Sequence, residues 1–396
     1  MNRRTWLQHG LQLGAALPLL TWGGARAQAT RATAAAPGNL LILIELKGAN
    51  DGLNTVVPFA DPLYAQLRPR IGIRRDDVLP LSERAGLHPA LAPLLPLWQN
   101  RQMAVVEGVG YPNPNLSHFR SIEIWDTASN AHEFLHQGWL ARAFAASPVP
   151  WTYLADGVVL GSHEMGPLAG APRSVALANP DQFVRQSKLI GKGMPGEMKQ
   201  PARSAALNHV LKVETNIVEA AANLNSHYAF RTPFPAGPFG NQMQTAAQIA
   251  ANPAGVAAVR VSLGGFDTHQ NQPGMHANLL KQFAEGVIAL QSALEEIGRW
   301  NHTLVMSYSE FGRRPQENQS NGTDHGTAAP QFVFGGRVNG GLDGQAPALA
   351  RLDGNGNLPH AVDFRDLYAT VLERWWRMPS QGVLGGRFAP LDLIRA

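Results

Sequence analysis

Five residues of the kind that bind hard or borderline cations stand in three glycine-rich segments of this 396-residue chain. Asp51 lies in Lys47-Gly48-Ala49-Asn50-Asp51-Gly52-Leu53-Asn54, and Asp267 and His269 lie in Gly264-Gly265-Phe266-Asp267-Thr268-His269. Asp324 and His325 lie in Gly322-Thr323-Asp324-His325-Gly326. Asp267 and His269 are two apart and share a side of an extended segment. Asp324 and His325 are adjacent, and the flanking glycines permit the turn that would aim both inward. Three carboxylates and two imidazoles form an N/O donor set suited to zinc, manganese, magnesium or iron. Two ions about 3.5–4 Å apart would clamp the oxygens of an in-line displacement. Each piece also has a plain structural reading. Asp51-Gly52 is a common turn pair, Asp267 could cap a helix, and Asp324-His325-Gly326 could be a surface turn.

A second constellation is Asn113-Pro114-Asn115-Leu116-Ser117-His118-Phe119-Arg120-Ser121, ahead of a helix-like run Ser121–Ala128. Near a helix N-terminus, Ser117 would suit a nucleophile or an anion contact, with His118 and Arg120 beside it; helix capping is the simpler alternative. Glu310, Arg313 and Arg314 follow a strand-like run. They offer a carboxylate that would bind a metal or support one of its ligands, and guanidinium forks for phosphate or sulfate oxygens, or else a salt-bridged loop. His360 is a remote candidate for a third imidazole. His132-Glu133-Phe134-Leu135-His136 spells H-E-x-x-H. No third ligand follows at helical distance, so packed or solvated roles are expected there.

The elements that must position these residues are short apolar runs. Leu40–Leu46, Met103–Glu107, Val256–Leu263, Thr303–Tyr308 and Phe332–Phe334 read as buried strands. Helical periodicity covers His276–Gly298 and Phe364–Trp376, and a further helix is expected at 202–228. Strand, helix, strand over 256–308 is a βαβ unit, which implies a parallel pair. The expected fold class is α/β, with a mostly parallel sheet covered by helices on both faces. Residues 140–255 read as a helical and loop insertion. Ligand-rich loops after strands place the candidate site at the carboxyl end of the sheet.

Composition narrows the function classes. Apolar residues make up 44%, enough for a sizeable core, and charged residues only 16%, which excludes a charged disordered chain. Arg3, Arg4 and Arg26 account for most of the net +4; without residues 1–29 the balance is 30 basic to 29 acidic residues. Nucleic-acid binding, which needs a basic stripe, is not expected. There is no cysteine, which excludes disulfides, thiol catalysis and iron–sulfur clusters. Asn2-Arg3-Arg4-Thr5-Trp6-Leu7, a short apolar run and Ala25-Arg26-Ala27-Gln28-Ala29 read as a signal peptide over 1–29, similar to the twin-arginine type. Residues 30–38 read as a linker and 39–396 as one domain. No later run is long enough to span a membrane. The twin-arginine export machinery is thus an expected partner, and a periplasmic or otherwise exported location is expected.

Taken in order, Glu45–Asn54, Leu87–Leu91, Ser117–Phe119, Gly264–His269, Tyr308–Arg314, Gly322–Ala328 and Asp363–Arg365 resemble domain-of-unknown-function family 1501, grouped with the alkaline phosphatase-like superfamily. The resemblance implies an alkaline phosphatase-like three-layer fold and one or two zinc, manganese or magnesium ions. It also implies hydrolysis of small anionic phosphate or sulfate esters. By the same resemblance, Asp51, Asp324 and His325 would hold one ion with Ser117 above it. Asp267, His269 and a further histidine would hold the other. Arg120 or Arg313 would stabilise the developing charge. Two features depart from the superfamily pattern: the spacing of two between Asp267 and His269, and the lack of an evident last histidine. The alternative reading is an inactive exported binding or assembly protein that keeps the fold and has an envelope partner.

Overall fold

The computed structural model describes residues 38–177 and 228–395. The expected signal peptide and all but the end of the linker lie outside the described residues, as does nearly all of the helix expected at 202–228. Apolar, β-branched segments form the strands. The first are β1 (Leu40–Lys47), β2 (Val56–Val57), β3 (Leu79–Pro80), β4 (Gly86–Leu87) and β5 (Met103–Gly110). Next come β6 (Ala155–Leu160), β7 (Ser174–Leu177), β8 (Val256–Gly264), β9 (Thr303–Tyr308) and β10 (Arg313–Glu317). The last are β11 (Thr323–His325), β12 (Ala329–Phe334), β13 (Gly341–Gly344) and β14 (Val362–Asp363).

The large sheet runs β13-β5-β12-β9-β1-β8-β6-β7, with β14 also beside β5. All its pairings are parallel except those of β12, which lies antiparallel to both β5 and β9. The expected βαβ unit is present as β8, the helix Gln272–Glu296 and β9. Its two strands are parallel but not adjacent, because β1 inserts between them and pairs with both. β1 alternates as a central strand must. Leu40, Ile42, Ile44 and Leu46 pack on one face with Leu280, Phe283 and Leu290 of that helix. Leu41 and Leu43 pack on the other face with Trp125, Trp139 and Tyr368. The sheet is therefore covered on both sides, and every strand of its centre is buried.

The stretch expected to be only helix and loop contributes two sheet strands, β6 and β7, and β6 pairs with β8. Ala155-Asp156-Gly157-Val158-Val159-Leu160 is too short and too rich in small residues to stand out. Gly157 is needed there, since a side chain would meet Leu168 at 2.6 Å. The helix expected at His276 begins four residues earlier, on Pro273 in its first turn, a favourable place for proline. The helix expected over Phe364–Trp376 is α-helical to Ala369 and then winds as a π-helical turn, Thr370–Trp375.

On the Trp125 side, Arg260 of β8 donates to Glu45 Oε2 (2.7 Å) and to the Tyr308 hydroxyl (2.8 Å). Asp126 lies near the same guanidinium, with the Tyr308 hydroxyl 3.5 Å from its Oδ1. Two acids thus share one cation. Burial, only partly offset by Arg260, pushes the Asp126 carboxyl up to about 7. A raised folded-state value stabilises the fold fully below the unfolded carboxyl's range and loses that contribution as pH rises through about 7. Asp126→Asn should therefore flatten this decline, gaining on the order of 2 kcal/mol at pH 8 and little at pH 4. Urea unfolding of both proteins across this range checks it; parallel pH curves would remove the account.

Candidate metal centre

The loops that leave β1, β8 and β9 meet at one end of the sheet, as parallel strands require. Gly48 makes the meeting close: with φ +111°, it sits where a Cβ would be 2.5 Å from the Asp267 backbone nitrogen. Gly322 does the same for the β10–β11 hairpin, where a Cβ would lie 2.2 Å from the His269 carbonyl carbon. The buried Arg313 staples the loops together. It donates to Ala49 O (2.8 Å), Gly48 O (2.5 Å), Phe266 O (3.1 Å) and Thr323 O (3.0 Å), and to Asp267 Oδ1 at 2.5 Å. Burial works against ionisation of Asp267, but Arg313 outweighs it and brings the carboxyl down to about 2.

Around Asp267 Oδ1 stand three imidazole Nε2 atoms: His269 at 2.9 Å, His325 at 3.3 Å and His118 at 3.5 Å. His325 Nε2 lies 3.0 Å from both His118 Nε2 and His269 Nε2. The far nitrogens have their own partners. His118 Nδ1 meets Glu310 Oε1 at 2.8 Å, His325 Nδ1 meets the Leu116 carbonyl at 2.9 Å, and His269 Nδ1 faces Asp324 at 3.6 Å. Glu310 is itself buried and fixed by the Gly48 N–H at 2.9 Å.

These partners decide the tautomers. A carbonyl can only accept, so His325 carries its proton on Nδ1, and the Glu310 carboxylate imposes the same on His118. In the neutral rings, both Nε2 lone pairs then face each other at 3.0 Å. Such an arrangement repels unless a cation or an extra proton lies between. Ligand atoms on tetrahedral zinc are about 3.3 Å apart, close to the spacing found, and donors from His118, Asp267 and His325 all lie within 4.8 Å of one another. Outward nitrogens held by a carboxylate and a carbonyl are the usual support of ligating imidazoles. Hydrogen bonding to Glu310 raises the His118 pKa, and burial lowers that of His325. The residues fit one divalent ion.

The structure gathers His118, Asp267, His269 and His325. It does not gather Asp51. That side chain is wholly buried and taken by Arg68 Nη1 (2.6 Å) and Nη2 (2.9 Å) and by Gln272 Nε2 (2.5 Å), which corrects the expectation of a ligand. Asp324 stands behind His269 rather than among the donors, and it accepts from Asn318 Nδ2 at 3.2 Å. Ser117 is the N-cap of the helix His118–Thr127, but its side chain makes no cap hydrogen bond and is exposed.

Arg120 is not a charge stabiliser here. It lies 3.9 Å over the Phe134 ring, pairs with Glu123 at 2.8 Å and donates to the Ala131 carbonyl. Arg313 is consumed by carbonyls and Asp267, so it is no anion clamp either. His132-Glu133-Phe134-Leu135-His136 is turn and loop rather than helix, so its two histidines do not form a helical pair. His360 lines a different cavity, with Glu107 and Arg351.

A cleft opens beside the cluster, lined by Lys47, His118, Phe119, Ile122, Glu164 and Asp267 among others. Lys47 pairs with Glu164 at 3.0 Å, both well exposed, and Phe119 is 89% exposed. Sequence reasoning placed His118 beside the nucleophile rather than among the ligands, and it passed over Lys47, Arg68 and Gln272. Only the direct adjacency of His118 to Ser117 pointed toward the site.

A family model described as "Protein of unknown function (DUF1501)" matches residues 98–384. No curated protein matches the chain. Among solved structures, the chain is similar to a phosphonate monoester hydrolase from Silicibacter pomeroyi, at 11% identity and TM-score 0.44, over 89% of this chain and 75% of that one. It is also similar to a protein in the alkaline phosphatase superfamily from Vibrio parahaemolyticus, at 10% identity and TM-score 0.42, over 90% and 70%. Ps i-CgsB is similar at 12% identity and TM-score 0.42, over 88% and 74%. With the family model covering most of its length, the chain belongs to the DUF1501 family.

Proposed function

We propose that this protein is an exported, metal-dependent hydrolase of phosphate or sulfate esters, with one divalent ion held by His118, His325 and Asp267 and with His269 beside them. The observation that carries this reading is the approach of His118 Nε2 and His325 Nε2 to 3.0 Å, both beside the Asp267 carboxylate. Zinc or manganese fits a donor set of two imidazole nitrogens and a carboxylate oxygen. When bound, such an ion supplies Lewis-acid polarisation of an ester oxygen.

The chain's own residues supply the remainder. Ser117, uncommitted to capping, is the nucleophile; its oxygen attacks phosphorus or sulfur, the alcohol leaves, and water then cleaves the serine ester. Asp267 is kept ionised by Arg313, and Glu310 and the Leu116 carbonyl hold His118 and His325 in the ligating tautomer. Lys47 lines the cleft, where it can leave Glu164 for an anionic ester oxygen. Phe119 and Ile122 favour an ester whose alcohol carries an apolar body. Export rests on the leader around Arg3 and Arg4.

Elemental analysis of the exported protein should find about one equivalent of divalent metal. A panel of aryl phosphates and sulfates should find turnover. Ser117→Ala should lose turnover by about a thousandfold while retaining the metal. An unchanged rate would remove Ser117 as nucleophile. Metal without turnover on any ester would leave the binding or assembly reading instead.

A further inference from the structure

We infer that a second ligand site, apart from the three-histidine cluster, lies beside the end of β5 and takes a small apolar molecule bearing an ammonium group. A cavity of about 300 Å³ opens there, at the lower end of ligand-pocket sizes. Leu53, Val56, Pro330 and Leu358 line it, and among the described residues the acid facing it is Glu107.

Glu107 comes near the end of β5, where the strand bulges at Gly108 (φ +71°) and the register against β12 shifts. The loop carrying Gln345 and Ala361 closes tightly over this bulge; a Cβ on Gly108 would meet the Ala361 Cβ at 3.1 Å and the Gln345 carbonyl oxygen at 3.2 Å. Glu107 as a whole residue is thereby left 7% exposed.

Its partners are what set it apart. Among the described residues, the other buried carboxylates all have a side-chain partner: Glu45 has Arg260, Asp51 Arg68, Asp156 Arg173, Glu310 His118 and Glu317 Arg70, while the half-buried Asp126 has the Tyr308 hydroxyl. Glu107 alone has neither an ion pair nor a side-chain hydrogen bond among the described residues. Arg313, Arg351 and His360 also line the cavity; the Arg313 guanidinium is spent on Asp267 and backbone carbonyls, and Arg351 is exposed to solvent. Arg84 pulls the other way only from an exposed position, so burial dominates and pushes the Glu107 carboxyl up. The carboxylate thus faces the cavity unpaired, and a charge held in so enclosed and largely apolar a space favours a cationic partner. An ammonium inside the cavity would supply up to three donors and the compensating charge, and the apolar walls would take its hydrocarbon body.

The test uses the full exported protein and three probes of one shape: benzylamine, benzyl alcohol and benzoate, followed by ligand-observed NMR and calorimetry. Benzylamine should bind at least about tenfold more tightly than benzyl alcohol, and benzoate not at all. Glu107→Gln should cost benzylamine about tenfold or more and leave benzyl alcohol little changed. Ala361→Phe, at the rim and leaving the carboxylate intact, should block both ligands. No binding of benzylamine at millimolar concentration, equal binding of amine and alcohol, or full retention of amine binding in a folded Glu107→Gln protein would each overturn the assignment. If Glu107→Gln does not fold, Ala361→Phe decides it, since undiminished binding there places the amine elsewhere. Neither substitution touches a residue of the His118–Asp267–His325 cluster, so failure here leaves the hydrolase reading untouched.

Discussion

His325→Ala is expected to lose bound metal and ester turnover together, by about a thousandfold in each, without loss of the fold. His325 is the hub of the cluster, because its Nε2 is 3.0 Å from both other imidazoles and 3.3 Å from Asp267. Removing it leaves His118 and His269 too few shared donors to hold a divalent ion in place. The outward partners grade the effect. Glu310→Gln keeps the shape but weakens the hydrogen bond that fixes the His118 tautomer, and should cost about 10- to 100-fold in metal affinity. Asp324→Ala should cost less, since Asp324 is exposed and 3.6 Å from His269 Nδ1. Acid should release the metal, because protons compete for the same nitrogens and Glu310 makes His118 the readier to take one. Metal titration by calorimetry at several pH values, beside aryl ester kinetics, checks the series. A His325→Ala protein that keeps metal and rate would end the single-ion account.

The sheet was readable where runs of Leu, Ile and Val are dense. Leu40–Leu46 and Thr303–Tyr308 lie at its centre and are buried on both faces, so their composition betrays them. β6 and β7 were not readable. They are short edge-side strands, and Gly157 and Asp156 dilute the apolar signal that a central strand would show. The convergence of loops after β1, β8 and β9 also followed from reading strand ends, since parallel pairing forces those ends together. Ligand identity did not follow. An aspartate before glycine after a strand looks the same whether it faces a metal or an arginine, and the partner of Asp51 lies in Pro62-Leu63-Tyr64-Ala65-Gln66-Leu67-Arg68, a stretch with no distinguishing motif. Arg120 and Arg313 misled for the same reason: an arginine's spacing says nothing of the carbonyls that consume its donors. His118 was legible as a neighbour of Ser117 but not as a ligand, because its approach to His325 spans 207 residues.

Arg68→Met should be the most destabilising substitution outside the apolar core, at about 3–5 kcal/mol. Both members of the Arg68–Asp51 pair are buried, and every donor of the guanidinium is used. Two go to Asp51, and the others reach Asn54 Oδ1 (2.7 Å), Pro315 O (2.9 Å) and Arg314 O (3.0 Å). Burial alone would raise the Asp51 pKa, but Arg68 overrides it and the net shift is down. Stability from this pair is therefore present above the unfolded carboxyl's range and lost as pH falls through the depressed folded value. Without Arg68, the charge remains in the interior with Gln272 as its chief remaining donor. Methionine fills much of the volume, so the cost reports the stranded carboxylate rather than a void. Asp51→Asn in the same chain should recover part of it, since the neutral amide carries no charge to strand. The damage should also reach the metal centre. Gln272 links Asp51 to the hydroxyls of Thr268 (3.0 Å) and Thr323 (2.7 Å), which neighbour His269 and stand on the strand of His325. Urea unfolding with and without bound zinc measures both effects. Arg68→Met within about 1 kcal/mol of the parent, or a double variant no better than the single, would show that the pair does not anchor these loops.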